Sequence, residues 1–160
     1  MRPETAAAID VVWRALAMVD GYTGAGQITS KGVRDIVTAA DVAVEDLVRG
    51  HLDDILGQPV VGEERGGEPP AGGSPYWLVD PICGTTNFAS GMPLFCVNLA
   101  LVEDGVIAVA VTGDPSRNEV CYAERGGGAW ALRDVGAVRL QVNAESTTLV
   151  IEDGKAREHA

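Results

Sequence analysis

The sequence carries few positive charges for its length. Its 12 lysine and arginine residues are outnumbered by 23 aspartate and glutamate residues, which gives a net charge of −11 over 160 residues. A nucleic-acid-binding surface needs basic patches that contact the phosphate backbone, so we expect no nucleic-acid partner. An acidic excess usually serves solubility, although it also supplies carboxylates that can surround a cation.

Long apolar runs and paired cysteine motifs are also missing. No run approaches the roughly 20 apolar residues of a membrane-spanning helix, and the N-terminal sequence MRPETAAAID is too acidic for an export signal. The cysteines Cys83, Cys96 and Cys121 are odd in number and form no CxxC pair, so neither a zinc site nor a disulfide framework is indicated. We therefore expect no membrane association and a reducing, cytoplasmic location.

Two amphipathic helices are predicted in the first third of the chain. Apolar residues recur at helical spacing over residues 3–20 and again from Thr38 onward. Thr38 and Asp41 resemble a capping box in which aspartate replaces the usual glutamate. The residues predicted on the buried faces are Ile9, Val12, Trp13, Leu16 and Val19 in the first helix and Ala40, Val44, Leu47, Val48, Leu52 and Ile55 in the second.

The rest of the chain follows the two-residue period of β-strands. Turn signals at 103–105 and 114–118 predict hairpins, and the Gly- and Pro-rich segment 65–75 predicts a loop. We expect one α+β domain over residues 1–160, with two helices packed on a mainly antiparallel sheet. The predicted strands lie near 59–62, 76–80, 94–102, 106–112, 119–123, 129–132 and 147–151.

Acidic residues at three places in the chain are candidates for cation binding. Asp41 opens the second helix, and Asp80 ends the apolar run YWLV. Glu63 and Glu64 follow the run PVVG. Each position also has a purely structural interpretation, as a helix cap, an Asp-Pro turn or a solvated turn, and pattern alone favours that interpretation.

The segment WLVDPICGTTNF, residues 77–88, carries the strongest chemical signal. Gly84, Thr85 and Thr86 can open a short helix whose backbone N–H groups point at an anion. Asp80 and the carbonyl oxygen of Ile82 can hold a hard cation beside it. A cation next to an anion-binding helix end is an arrangement suited to phosphate-ester chemistry.

These motifs resemble the inositol monophosphatase family of magnesium-dependent, lithium-sensitive phosphatases. The segment 77–88 matches the family's Asp-Pro-(Ile/Leu)-Asp-Gly-Thr motif except at Cys83. VVGEE is similar to the family's Gly-Glu-Glu motif, and IVTAADVAVE to its Val-Thr-x-x-Asp helix start with a later glutamate. The resemblance extends from about residue 5 to residue 152 and implies the N-terminal half of the family fold.

The resemblance implies a set of metal ligands. Glu63, Asp80 and the backbone carbonyl of Ile82 would form one Mg²⁺ site. Asp80 would also bridge to a second metal ion, and Asp41 would act through water near a third, weaker site. The implied activity is metal-dependent hydrolysis of a small polyol phosphate monoester.

The resemblance also implies residues for phosphate binding and catalysis. Gly84 and Thr85 would bind the substrate phosphate through backbone N–H groups. Thr85 would help to orient the attacking water, and together with Asp41 and Glu63 it would make up the catalytic set.

Two features depart from the family pattern. The family has a metal-binding aspartate where this chain has Cys83, and a thiol is a soft, mostly protonated group that suits Mg²⁺ poorly. The family's second half, which carries a Trp-Asp motif with another ligand, is missing here. We therefore expect one weak Mg²⁺ site and no tight second site. Thiol catalysis by Cys83 is not indicated, because no arginine closes a phosphate loop and the spacing suggests no resolving cysteine.

Three interpretations stay open from the sequence. The chain is a phosphatase with weak or absent turnover, a non-catalytic module that dimerises or docks with a partner, or a fragment whose second half is supplied elsewhere. A sheet without the second half exposes a strand edge and an apolar face. We therefore expect a homo-oligomer or a partner that covers this face.

Overall fold

The computed structural model describes residues 1–22, 29–30 and 36–142. Helix α1 spans Pro3–Asp20 and helix α2 spans Ala39–Leu56. The predicted capping box is present at the start of α2. The backbone N–H of Thr38 donates to the Asp41 carboxylate over 2.8 Å, and the Thr38 side chain accepts from the N–H of Ala40. Both long helices are thus confirmed.

The predicted buried helix faces are confirmed with one exception. The residues of both faces are buried or, for Trp13 and Leu47, partly buried against the core. Ile55, however, is 56% exposed, so its prediction as a core residue is wrong. With 3.6 residues per turn, a buried face can continue after Leu52 at either the third or the fourth residue. It continues at Leu56, which packs against the core.

Seven strands form one mixed sheet. They are β3 Val60–Gly62, β4 Tyr76–Cys83, β5 Cys96–Glu103, β6 Val106–Asp114, β7 Glu119–Glu124, β8 Gly128–Arg133 and β9 Gly136–Leu140. They lie side by side in chain order. Only β3 and β4 pair in parallel in this sheet, and every other neighbouring pair is antiparallel. This confirms the α+β prediction with a mainly antiparallel sheet.

Several elements differ from the predicted ones. Strand β4 continues through Pro81 to Cys83 instead of ending at Asp80. Strand β9 was not predicted, and all five of its residues are exposed, so it carries no alternation of buried and exposed positions. A separate two-stranded sheet pairs β1, Thr29–Ser30, with β2, Ile36–Val37. The strand predicted at 147–151 lies outside the described residues.

Both long helices contact each other and the sheet, α1 against β5, β6 and β7 and α2 against β3 and β4. The side chains of β4 to β6 that contribute to this core alternate along each strand and include Trp77, Val79, Leu99, Leu101, Val109 and Val111. The intervening side chains, such as Leu78, are more exposed and line an open cavity. Within the described part of the chain, no helix has both the length and the apolar character needed to cross a membrane.

Candidate metal and phosphate site

The ends of strands β3 and β4 bring two acidic residues to one edge of the sheet. Gly62 pairs with Val79 in a parallel register, so Glu63 and Asp80 follow at neighbouring positions. The backbone N–H of Glu63 donates to the Val79 carbonyl over 3.2 Å, which continues the pairing past the end of β3. Glu63 and Asp80 both line an open cavity of about 450 Å³ on this face of the sheet.

Asp80 lies at an irregular point of β4. The register with β5 shifts between Asp80 and Cys83, so the strand bulges immediately after the carboxylate. The Oδ1 atom of Asp80 is buried, and no described residue offers it a hydrogen bond. A buried carboxylate oxygen without a donor costs free energy unless a cation or another partner satisfies it. The chemistry of this position therefore suits a cation.

Thr85 links the start of α2 to the segment after β4. Its Oγ1 lies 3.0 Å from Oδ1 of Asp41 and 2.9 Å from the carbonyl oxygen of Ile82. One hydroxyl proton can be donated to only one of these acceptors at a time. The other carboxylate oxygen of Asp41 accepts from both the backbone N–H and the hydroxyl of Thr38. Asp41 therefore caps the helix and also contacts the predicted site.

The predicted short helix after β4 is present as α3, Thr85–Ala89. Gly84 precedes it with a φ of 102°, a left-handed conformation that favours glycine. A Cβ atom on Gly84 would lie 2.9 Å from the carbonyl oxygen of Leu94, so a side chain does not fit here. The first N–H groups of α3, including that of Thr85, have no acceptor within the helix.

Cys83 is exposed and pairs in register with Cys96 of β5. Desolvation first, then the negative charge of Asp80, raise the pKa of the Cys83 thiol to about 12. Desolvation likewise raises the pKa of Cys96. Both shifts favour the neutral thiol over the thiolate. The spacing of cysteines in the sequence indicated no neighbour for Cys83, and strand pairing places the free cysteine Cys96 opposite it.

The structure brings together only part of the predicted site. Glu63 and Asp80 share a cavity, whereas Asp41 reaches the site through Thr85. Among the described residues, no three His, Cys, Asp or Glu side chains lie close enough together to hold a metal ion. The proposed ligand set contains two carboxylates and one backbone carbonyl, so it is not a cluster of that kind. The residue roles stay predictions.

Two polar residues next to Asp80 were not predicted from the sequence. Asn98 is the β5 partner of Asp80, and Thr112 is the β6 partner of Asn98. Thr112 Oγ1 and Asn98 Oδ1 are 2.9 Å apart, and both residues line the same cavity as Glu63. The signal in the sequence was one polar residue inside each of two apolar strands, LFCVNLAL and VIAVAVTG.

The comparisons with known proteins agree with this architecture. The chain matches the model of the inositol monophosphatase family over residues 1–158. It is 39% identical to an inositol-1-monophosphatase of Mesorhizobium japonicum over 119 residues, which are 71% of this chain and 45% of that protein. It is 46% identical to a histidinol-phosphatase of Mycobacterium tuberculosis over 99 residues, 61% of this chain and 38% of that protein.

A solved structure shows the same fold. The extragenic suppressor protein suhB from Bartonella henselae superposes with a TM-score of 0.79 at 30% sequence identity, covering 90% of this chain and 55% of that one. The chain thus spans about half the length of the relatives it matches. A family match over nearly all of its residues, joined to a matching fold, shows that the chain belongs to the inositol monophosphatase family.

Proposed function

We propose that this chain provides one metal-binding half of a phosphomonoesterase site. The observation that carries the proposal is the meeting of Glu63 and Asp80 at one sheet edge, where Oδ1 of Asp80 is buried without a hydrogen-bond donor among the described residues. In a family of phosphatases, a buried carboxylate beside a second carboxylate favours a cation site over a solvated turn.

The residues that would hold Mg²⁺ are Glu63, Asp80 and the Ile82 carbonyl. All three present oxygen atoms, which is the donor type that Mg²⁺ prefers. Bound there, Mg²⁺ would supply positive charge against the phosphate oxygens. Cys83 does not fit a second such site, because sulfur is a soft ligand and Mg²⁺ prefers hard oxygen donors. One weak site is therefore proposed, and no tight second site.

The remaining residues would bind phosphate and hold a proton in place. Gly84 and Thr85 would present backbone N–H groups to the phosphate. If the Ile82 carbonyl is engaged as a metal ligand, the Thr85 hydroxyl would donate its hydrogen bond to Asp41, whose Oδ1 lies 3.0 Å away. The Thr85 oxygen could then accept a hydrogen bond from the attacking water. Asp41 thereby orients Thr85, and through it the attacking water.

The proposed substrate is a small phosphorylated polyol. The relatives carry the names inositol-1-monophosphatase and histidinol-phosphatase, and both names denote phosphatases that act on phosphate esters of small alcohols. Neither the Glu63–Asp80 edge nor the Thr85 contact distinguishes one alcohol from another. We propose inositol monophosphate as the first substrate to test and a cytoplasmic location, the latter on the three unpaired cysteines.

A non-catalytic interaction module is the second candidate function. It is favoured by exposed apolar side chains at Leu78 on the open sheet face and at Val138 and Leu140 on strand β9, which ends the sheet order. A second copy of the chain, or a second half supplied separately, would cover them. Sedimentation at micromolar concentration tests this, because a monomer at all concentrations would contradict self-association.

Phosphate release from inositol monophosphate in the presence of Mg²⁺ tests the catalytic proposal. We expect release near background but above that of a Glu63→Gln control, because one metal site remains. Robust release that Glu63→Gln abolishes would mean that the half-site is a working enzyme and that Cys83 does not impair it. Equal release by the chain and its control would favour the interaction module.

A further inference from the structure

Glu45 is a fully buried acidic residue in the middle of α2. Its carboxylate accepts the backbone N–H of Glu64 over 2.6 Å and that of Arg65 over 3.0 Å. Two successive N–H groups of the loop after β3 are therefore bound to one helix side chain. Glu63, the proposed metal ligand, immediately precedes these two residues in the chain.

Arg49 completes the attachment from the next turn of α2. Its Nε donates to Glu45 over 2.8 Å, which neutralises the buried carboxylate. Its other nitrogen atoms donate to the Val60 carbonyl, over 2.8 Å, and to the Gly66 carbonyl. One guanidinium thus contacts the chain before and after Glu63.

The glycine at position 62 is required by this arrangement. A Cβ atom there would lie 2.1 Å from Oε1 of Glu45, so any side chain would displace the carboxylate. The N–H of Gly62 also donates to the Gly66 carbonyl over 3.0 Å, which closes the loop around Glu63 and Glu64. The Gly-Glu-Glu sequence therefore has its glycine where Glu45 packs, and its first glutamate follows beside Asp80.

We infer that Glu45 is a positioning residue that, with Arg49, holds the 62–66 loop so that Glu63 stays beside Asp80. The inference rests on the proposed metal site. Glu45 is not itself a ligand, because Arg49 and two backbone N–H groups already occupy its carboxylate oxygens. Its effect on metal affinity is transmitted through the backbone of the loop.

The test is Mn²⁺ binding, measured by electron paramagnetic resonance or calorimetry, to the full chain and its variants. Glu45→Gln keeps the shape but places an NH₂ group where a backbone N–H now donates. We expect it to weaken Mn²⁺ binding about tenfold, the lower end of what loss of ligand-orienting groups costs. Amide exchange of residues 64 and 65 should accelerate while exchange in α1 does not change.

The matched control is Asp46→Asn. Asp46 binds the same loop from the surface through Arg65, with nitrogen–oxygen distances of 2.9 and 2.7 Å. Both side chains are about half exposed, so their pairing contributes little. We expect Asp46→Asn to bind Mn²⁺ as the unaltered chain does. A general loosening of the loop would weaken both variants equally and would overturn the assignment to Glu45.

A further pair of variants keeps the inference open to refutation. If Glu45→Gln fails to fold, Arg49→Lys retains the charge but loses the bonds to both sides of the loop, and wild-type Mn²⁺ affinity in that variant would overturn the inference. If the unaltered chain and Glu63→Gln bind Mn²⁺ equally, the proposed metal site is wrong. Amide exchange at residues 64 and 65 tests the Glu45 contact separately, and unchanged exchange in Glu45→Gln would overturn the inference about Glu45.

Discussion

Asp80 and Cys83, three residues apart on strand β4, present opposite chemistry. Toward β3, the parallel pairing places Glu63 at the same sheet edge as Asp80, whose buried Oδ1 has no hydrogen-bond donor among the described residues. Beyond the bulge, the antiparallel pairing with β5 places Cys83 opposite Cys96, both thiols with raised pKa values. Oxygen groups thus surround Asp80, whereas sulfur occupies the strand end at Cys83. We therefore expect a hard cation at Asp80 and none at Cys83.

The largest expected effect comes from replacing the Cys83 thiol with a carboxylate and adding the family's second half. Cys83→Asp combined with the second half of a related enzyme, added as a separate chain, should raise turnover of inositol monophosphate more than either change alone. A second cation that contributes about 4 kcal/mol to transition-state stabilisation would account for roughly a thousandfold in rate. Phosphate release from inositol monophosphate measures the rate. Equal rates with and without the added half would contradict the idea that a missing second cation site limits turnover.

Removing the Asp80 carboxylate should greatly weaken cation binding. We expect Asp80→Asn to weaken Mn²⁺ binding by more than about a hundredfold, since loss of groups that only orient a ligand already costs roughly 10- to 100-fold. Because Oδ1 of Asp80 is buried without a donor among the described residues, the metal-free variant should be as stable or about 1 kcal/mol more stable. Denaturant unfolding measures this, and a large loss of stability would show that the carboxylate has a structural partner.

Cys83→Asp alone should give a smaller effect. A carboxylate beside Asp80 supplies hard oxygen ligands, and we expect Mg²⁺ binding to tighten about tenfold, or 1.4 kcal/mol, with little gain in turnover. Cys83→Ser is the matched control, because it replaces sulfur with oxygen without adding charge. Calorimetry in Mg²⁺ separates the two, and equal tightening by serine would show that charge is not the missing property.

The smallest effect concerns the attachment of α1 to the sheet. A hydrogen bond from Arg2, followed by its charge, lowers the pKa of Glu103 below its usual range. A lowered folded-state pKa contributes stability above the unfolded-state pKa, and that stability is lost as the pH falls through the folded-state value. Glu103→Gln should therefore reduce the free energy of unfolding at pH 7 by less than about 1 kcal/mol.

The difference between Glu103→Gln and the unaltered chain should shrink below about pH 4. Denaturant unfolding at several pH values measures this trend. A difference that does not change with pH would show that the Arg2–Glu103 ion pair is not its cause.

Much of the fold was predictable because local chemistry determined it. The capping box at Thr38 and Asp41 and the short helix after Gly84 both involve residues a few positions apart. Strand β9 and the exposure of Ile55 were not predicted. In the first case a fully exposed strand shows no periodicity, and in the second the helical period allows two continuations of the buried face.

The site divides in the same way. The sequence by itself determined the family, the acidic candidates Asp41, Glu63 and Asp80, and the mismatch at Cys83, since motifs are local. Only the tertiary structure decided that Glu63 meets Asp80 through parallel strand pairing and that Cys83 faces Cys96. It also placed the carboxylate of Glu45 under the 62–66 loop. Strand register and helix-to-loop contacts join residues far apart in the chain, and no local pattern encodes which of them meet.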